Sequence, residues 1–279
     1  MAISHPAKTI TPKSVVADYR KVWSGYLDGK DPVQIRDHHE RTRAPFLELM
    51  KRLCARLAPG ARIAELGCGT AVDASILSAG HPLLRFYVSD ISVEAGTVAR
   101  SMNSAIGGSC SFFAADMAAL PIASDSLHII FTQGVMEHFF DPMPCFLEQV
   151  RVLASNGFLV VNVPQKFTGY TLHKHAQIRK GAWELGWERE FSYGDLRNAG
   201  RSLGLIEETV LGYGYWPSWK EPLFVLRDLM DKMYRRMPAI VPRLPQKAYT
   251  ALWGFLEKRW GHYFMRNIVV VFRKTGTNK

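Results

Sequence analysis

The residues best suited to chemistry lie between 65 and 138. Glu65-Leu66-Gly67-Cys68-Gly69-Thr70 follows a short apolar run and precedes a segment of helical character. Glycines at such a junction let the backbone pass close to a bound nucleoside, and the helix that follows presents free N–H groups. Taken alone, the two glycines suit a tight turn without a ligand equally well. Asp90 ends the next apolar run, in Val88-Ser89-Asp90-Ile91. An acid about 20 residues after such glycines can accept both hydroxyls of a ribose. Asp116 follows the third run, in Ala114-Ala115-Asp116-Met117, where a carboxylate can accept an adenine amino group. Any one of these acids also reads as a turn former or cap. Three acid-bearing run ends in succession are much harder to attribute to turns. Further on, Glu137-His138 offers an imidazole that titrates near neutral pH and can act as a general base, or can simply organise a helix start.

These residues need a frame that brings run ends to one edge. From 61 onward, apolar runs alternate with helical segments: runs at 61–66, 84–89, 110–114, 127–132 and 157–163, helices at 72–79, 93–103 and 143–153. Such alternation predicts a parallel sheet covered on both faces, which binds ligands at the carboxyl ends of its strands. Before it, 14–57 reads as helical, with Pro32 and Pro45 opening or bracketing helices and Pro59-Gly60 ending the last. After Pro164, residues 165–190 read as an irregular or helical cap carrying His173, His175, Trp183 and Trp187. Ser192 is placed to cap a further helix, and 205–210 and 267–272 read as two more strands.

The chain has 279 residues, enough for one large core without crosslinks. Cys54, Cys68, Cys110 and Cys145 form no CxxC pair and no zinc spacing, which favours a reducing compartment, the cytoplasm. The first residues lack the apolar stretch of a secretion signal, and no run approaches the roughly 18 apolar residues of a membrane span. The net charge of +10 is unevenly placed. Up to Tyr215 there are 22 basic and 21 acidic residues; from Trp216 there are 13 and 4, so the C-terminal part calls for an acidic partner.

In its motifs the chain resembles the class I S-adenosylmethionine-dependent methyltransferases of type 11. The matching stretches are AELGCGT, VSDIS, AADMAALPIASDSLHIIFTQGVMEHFFDP and FLEQVRVLASNGFLVVNVP, together about residues 60–165. The resemblance implies an α/β fold: a Rossmann-like, seven-stranded, mostly parallel sheet with helices on both faces and an antiparallel last strand. An N-terminal helical lid and a helical insertion before the last strand complete it. The expected parts are a lid at 1–58, a core at 59–215 with a substrate cap at 165–191, the insertion at 216–264, and the last strand and tail at 265–279. The resemblance also implies S-adenosylmethionine as cofactor. Gly67 and Gly69 would line its methionine end, with Glu65 supporting the loop. Asp90 would hold the ribose and Ile91 would pack on the adenine. Asp116 and Met117 would recognise the adenine edge, and Gln133 and Gly134 would lie beside the methionine moiety.

Three positions depart from the pattern. Ala71 replaces a common third glycine, and His128 stands where many relatives carry Asp. Similar ubiquinone-pathway enzymes carry a Glu-x-x-Glu-His run that binds a divalent metal, but here the first position is Gly134, so no metal is expected. His138 lies near the methyl donor as candidate base, and His173 and His175 can face the acceptor. Tyr19, Trp23, Tyr26, Trp183 and Trp187 can form an aromatic lid or pack the cap on the sheet. No Asn/Asp-Pro-Pro-Tyr/Phe run follows the fourth strand, which counts against methylation of nucleic-acid bases. The acceptor expected is a small or lipid-linked, acidic molecule, methylated at oxygen.

The insertion holds two basic stretches with apolar residues at helical steps, Leu223 to Met237 and Tyr249 to Trp260, separated by Pro238, Pro242 and Pro245. Such helices can lie in a membrane interface or dock on the parent domain. Two other readings stay open: a non-catalytic S-adenosylmethionine-binding subunit, and an adaptor at a membrane surface. Nucleic acid has no recognised motif in its favour.

Overall fold

Strand alternation splits the apolar residues cleanly between two layers, and this builds the domain. In the computed structural model, which describes residues 21–183, 187–214, 229, 232 and 246–276, seven strands run β1 (Arg62–Leu66), β2 (Arg85–Asp90), β3 (Cys110–Ala114), β4 (Leu127–Gln133), β5 (Leu153–Pro164), β6 (Leu205–Tyr213) and β7 (Asn267–Lys274). Their spatial order is β3-β2-β1-β4-β5-β7-β6. The first five are parallel, and β7 lies antiparallel between β5 and β6. Ile63, Ile129, Phe131, Val160, Val269 and Val271 face one core. Their neighbours Ala64, Ile130, Leu159, Val161, Ile268 and Val270 face the other, as a period of two requires. The expected fold class is present, antiparallel last strand included.

Helices α1 (Pro32–Thr42) and α2 (Ala44–Cys54) precede the sheet. Asp31 caps the first by accepting the Val33 N–H at 2.9 Å, with Pro32 in its first turn. In α2, Phe46, Leu49, Met50, Leu53 and Cys54 recur at helical steps and are all buried. Helix α3 (Val72–Gly80) follows the glycine loop and is buried from Val72 to Ser78, so its polar residues must find partners inside. Helix α4 (Val93–Ile106) is capped by Ser92 and stopped by Gly107 at φ 77°. Helix α5 (Met143–Val152) covers the opposite face. Beyond β5 come α6 (Gly169–Arg179) and α7 (Tyr193–Ser202). Ser192 caps α7 as expected, in a capping box with Asp195.

One strand boundary changes, and the two departures at Ala71 and His128 are accommodated within the fold. Strand β5 starts at Leu153, not 157, because a bulge lets residues 153 and 158 pair with Leu127 and Ile129. Ala71 takes the left-handed conformation of the missing glycine, at φ 53°, with its methyl group wholly buried. His128 serves the sheet: its Nδ1 accepts the Arg62 N–H at 3.1 Å where β1 begins.

Of the insertion, helix α8 (Gln246–Phe264) is described, whereas the stretch 223–237, apart from 229 and 232, lies outside the described residues, as does Tyr19. The C-terminal end of α8 docks on the sheet. A Cβ on Gly212 of β6 would stand 2.1 Å from the Gly261 carbonyl carbon, and His262 and Met265 are buried. Gln165 Nε2 donates to the carbonyls of His262 and Tyr263, at 3.1 and 3.0 Å. Because the clash would be with backbone, Gly212→Ala is expected to cost about 1–3 kcal/mol and to expose α8 to protease. Thermal unfolding with limited proteolysis checks this; unchanged behaviour would mean that α8 is not seated here. No helix among the described residues is long and apolar enough to cross a membrane.

Candidate active site

The carboxyl ends of β3, β2, β1 and β4 lie side by side, and the chemistry-bearing residues fall along that edge. After β1, Gly67 and Gly69 adopt φ values of 70° and 47°, open to glycine and costly for other residues. A Cβ on Gly67 would meet Val135 at 2.6 Å, and one on Gly69 would meet the Trp23 ring at 2.6 Å. The loop is therefore a cradle held under an aromatic side chain of the N-terminal segment. Tyr26 packs on Trp23 with centroids 5.1 Å apart, and the Trp23 Nε1 is buried without a hydrogen-bond partner among the described residues.

Asp90 locks this cradle to β2. Its Oδ2 accepts the Gly69 N–H and its Oδ1 the Ser92 N–H, both at 3.0 Å. Burial pushes its pKa up, against those two bonds. Ile91 beside it is 40% exposed, an apolar surface left open on the edge. Asp116 is exposed after β3 and its Oδ1 accepts the Ala118 N–H at 2.8 Å. The Met117 side chain turns into the core, where Gln149 Nε2 reaches its sulfur at 3.3 Å, so only its backbone can face a ligand on the edge.

Beneath the cradle runs a buried polar network that no sequence motif announced. Asp73, in α3, pairs with Arg43 and receives the Gln133 amide; His39 stands 3.7 Å from its other oxygen. Glu65 Oε2 accepts the Ala74 N–H at 3.2 Å. Gln133 Oε1 in turn accepts Asn162 Nδ2 at 2.8 Å, and Asn162 lies 2.7 Å from the Tyr213 hydroxyl. Burial alone would raise the Asp73 pKa, but the Arg43 guanidinium and His39 bring it below the ordinary value. Glu65 goes the other way, raised by burial and then by the Asp73 charge. The two buried acids are thus shifted in opposite directions, Asp73 towards its charged form by Arg43 and Glu65 towards its neutral form by burial. The one available signal was Asp73 itself, the lone charge in the apolar segment Val72–Gly80.

At the end of β4, Gly134 is exposed at φ 64° and a 3₁₀ turn, Met136–His138, follows. Burial lowers the His138 pKa, and its ring bonds to the Trp187 backbone. Burial pushes Glu137 up to about 8. Burial thus favours the uncharged form of both groups. A second buried cluster roofs the turn: Lys174 of α6 sits 3.5 Å from Glu188 and 3.3 Å from Glu190, and the Tyr170 hydroxyl donates to Glu188 at 3.0 Å. His175 joins this cluster through Glu190, with its side chain 44% exposed. His173 lies 3.4 Å from Gln177 of the same helix. Trp183 packs on Tyr170, and Trp187 on the exposed ring of Phe140. No group of three or more His, Cys, Asp or Glu among the described residues is arranged to hold a metal.

The sheet order, the glycine cradle and the strand-end acids define a class I S-adenosylmethionine-dependent methyltransferase. Residues 64–161 match the model of the methyltransferase domain family, and the chain carries a domain of that family. Solved structures match over nearly the whole chain. The candidate methyltransferase bound to the Haloferax volcanii Trm112 methyltransferase activator superposes with a TM-score of 0.59 at 17% identity, over 95% of this chain and 99% of that one. A candidate sarcosine dimethylglycine methyltransferase from Galdieria sulphuraria gives 0.59 at 16%, over 92% and 98%. Geranyl diphosphate C-methyltransferase from Streptomyces coelicolor A3(2), in complex with Mg2+, geranyl diphosphate and S-adenosylhomocysteine, gives 0.55 at 12%, over 85% and 80%. At these identities the likeness is one of fold. No curated protein matches the sequence.

Proposed function

We propose that the enzyme transfers the methyl group of S-adenosylmethionine to an oxygen of a small or lipid-linked acceptor held over Gly134. The observation that carries the reading is the turn after β4. There, burial pushes the Glu137 carboxyl up to about 8 and lowers the His138 pKa, so two adjacent titratable groups both favour their uncharged forms. A hydroxyl acceptor needs a proton acceptor at this place, whereas the cofactor supplies an already activated methyl group.

The cradle fits the cofactor. Gly67 and Gly69 admit its methionine end, with Glu65 bracing the loop through Ala74. Asp90 retains lone pairs for ribose hydroxyls beside its two backbone bonds. Ile91 offers its exposed side chain to the adenine ring. Asp116 and the Met117 backbone are placed for the adenine edge, and Gly134, with Gln133 beneath it, borders the methyl donor. His138 fastens the 187–190 segment to the turn through Trp187 and excludes water there. His175 steadies Glu190 at the outer side of the same roof.

The acidic, lipid-linked character of the acceptor rests on the 13 basic against 4 acidic residues after Tyr215. A fold neighbour that acts on geranyl diphosphate is consistent with an acidic isoprenoid on this scaffold. Calorimetric titration with S-adenosylmethionine and S-adenosylhomocysteine tests the cofactor half. Transfer of radiolabelled methyl to polyprenyl phosphates and phenols, with the product identified as an O-methyl phosphodiester or an aryl methyl ether by mass spectrometry and 13C NMR, tests the acceptor half. Binding of neither nucleoside would refute the site as drawn.

A further inference from the structure

We infer that Glu137 is the group that takes the proton from the acceptor hydroxyl, an inference that rests on the oxygen-acceptor reading. Glu137 is 3% exposed, and its carboxyl reaches towards the side of Gly134 on which a Cβ would stand. Oε1 lies 3.5 Å from the point a Cβ on Gly134 would occupy, and outside Gln133, Gly134 and Val135 themselves no other described atom comes within 4 Å of that point. Oε2 is buried with no hydrogen-bond partner among the described residues. Folding leaves such an oxygen unpaired at a cost, and active sites are where that cost is tolerated.

Every element packed on Glu137 contributes to its state. Glu188, from the 187–190 segment, raises its pKa further and Lys174, from α6, lowers it. Tyr170 keeps its phenol proton, since burial and Glu188 raise its pKa. Burial lowers the pKa of His138, next in the turn. The Arg189 N–H donates to the Glu137 carbonyl at 2.6 Å and fixes the turn against the roof.

In the step, the acceptor oxygen bonds the methyl carbon while the carbon–sulfur bond breaks and its electron pair stays on sulfur. The acceptor's O–H proton passes to the Glu137 carboxylate and is later released to water, leaving a neutral thioether product. The ionised form of Glu137 is the active one, so turnover rises as pH passes through about 8.

The test is a titration from about pH 5 to about pH 10 of protein carrying 13C-carboxyl glutamate, saturated with S-adenosylhomocysteine and followed by NMR. A glutamate signal titrating near pH 8 is expected to be missing from Glu137→Gln, while the separately raised Glu65 signal remains. Adding phenol, a hydroxyl donor, is expected to move the Glu137 signal, whereas anisole, which has no proton to give, leaves it in place. Glu188→Gln is expected to lower the midpoint and keep the response to phenol, which assigns the signal even where Glu137→Gln fails to fold. A Glu137 signal that phenol leaves unmoved, or that titrates with the surface glutamates, overturns the inference. Calorimetry on the same samples separates the other failure: loss of nucleoside binding by the wild-type protein would refute the methyl-transfer reading instead.

Discussion

Replacing Asp90 by alanine is expected to weaken S-adenosylhomocysteine binding about 30- to 1000-fold, or about 2–4 kcal/mol. Two effects add. The carboxylate is the proposed partner of the ribose, and hydrogen bonds to a charged group contribute about 1.5–3 kcal/mol. It also holds the glycine loop, since Gly69 and Ser92 both donate to it at 3.0 Å. Without it the loop must be ordered by the ligand itself, and that cost is taken from the affinity. Titration calorimetry on the variant and on Asp90→Asn separates the contributions. The amide keeps an acceptor for one loop N–H and loses the charge, so its affinity should fall between the other two. Wild-type affinity in the alanine variant would remove Asp90 from the cofactor site.

Asp73→Ala is expected to lower stability by about 2–4 kcal/mol. A buried pair broken on one side typically costs about 3–5 kcal/mol; the Arg43 side chain is 33% exposed, so water recovers part of that. Gln133 also loses the acceptor for its amide. The pH dependence follows from the depressed Asp73 pKa. A carboxylate of this kind adds stability above its unfolded value, near 4, and loses it as pH falls through the folded value. The difference between wild type and variant should therefore hold from neutral pH to about pH 5 and shrink below it. Urea unfolding across that range checks it; a constant difference into strong acid would mean that Asp73 does not act through its charge. Because the network joins the lid helices to the end of β4, cofactor affinity should fall along with stability.

The same residues show what could be read from the chain. Gly67, Gly69, Asp90, Asp116 and Gly134 were legible because strand-end residues keep a fixed distance from apolar runs of period two, and that order is local. The roles of Asp73, Arg43, His39 and Asn162 were not, because their meaning comes from partners 29 to 60 positions away. Glu137 stood in plain view beside His138. Only its burial beside Gly134, with Glu188 and Lys174 facing it, distinguished it from a residue that shapes a turn.

Sequence by itself determined the sheet, its helices and the edge on which the chemistry lies, since alternation of apolar residues and glycine at left-handed turns are properties of neighbouring residues. It also determined the charge imbalance of the last 64 residues. Tertiary structure alone decided that Trp23 covers the glycine loop, that the Met117 side chain serves the core, and that α8 docks through the approach of Gly212 to Gly261. It also decided that burial raises the Glu65 pKa while Arg43 lowers that of Asp73. A side chain's burial, and hence its pKa, depends on which distant segments close over it, and no local pattern encodes that.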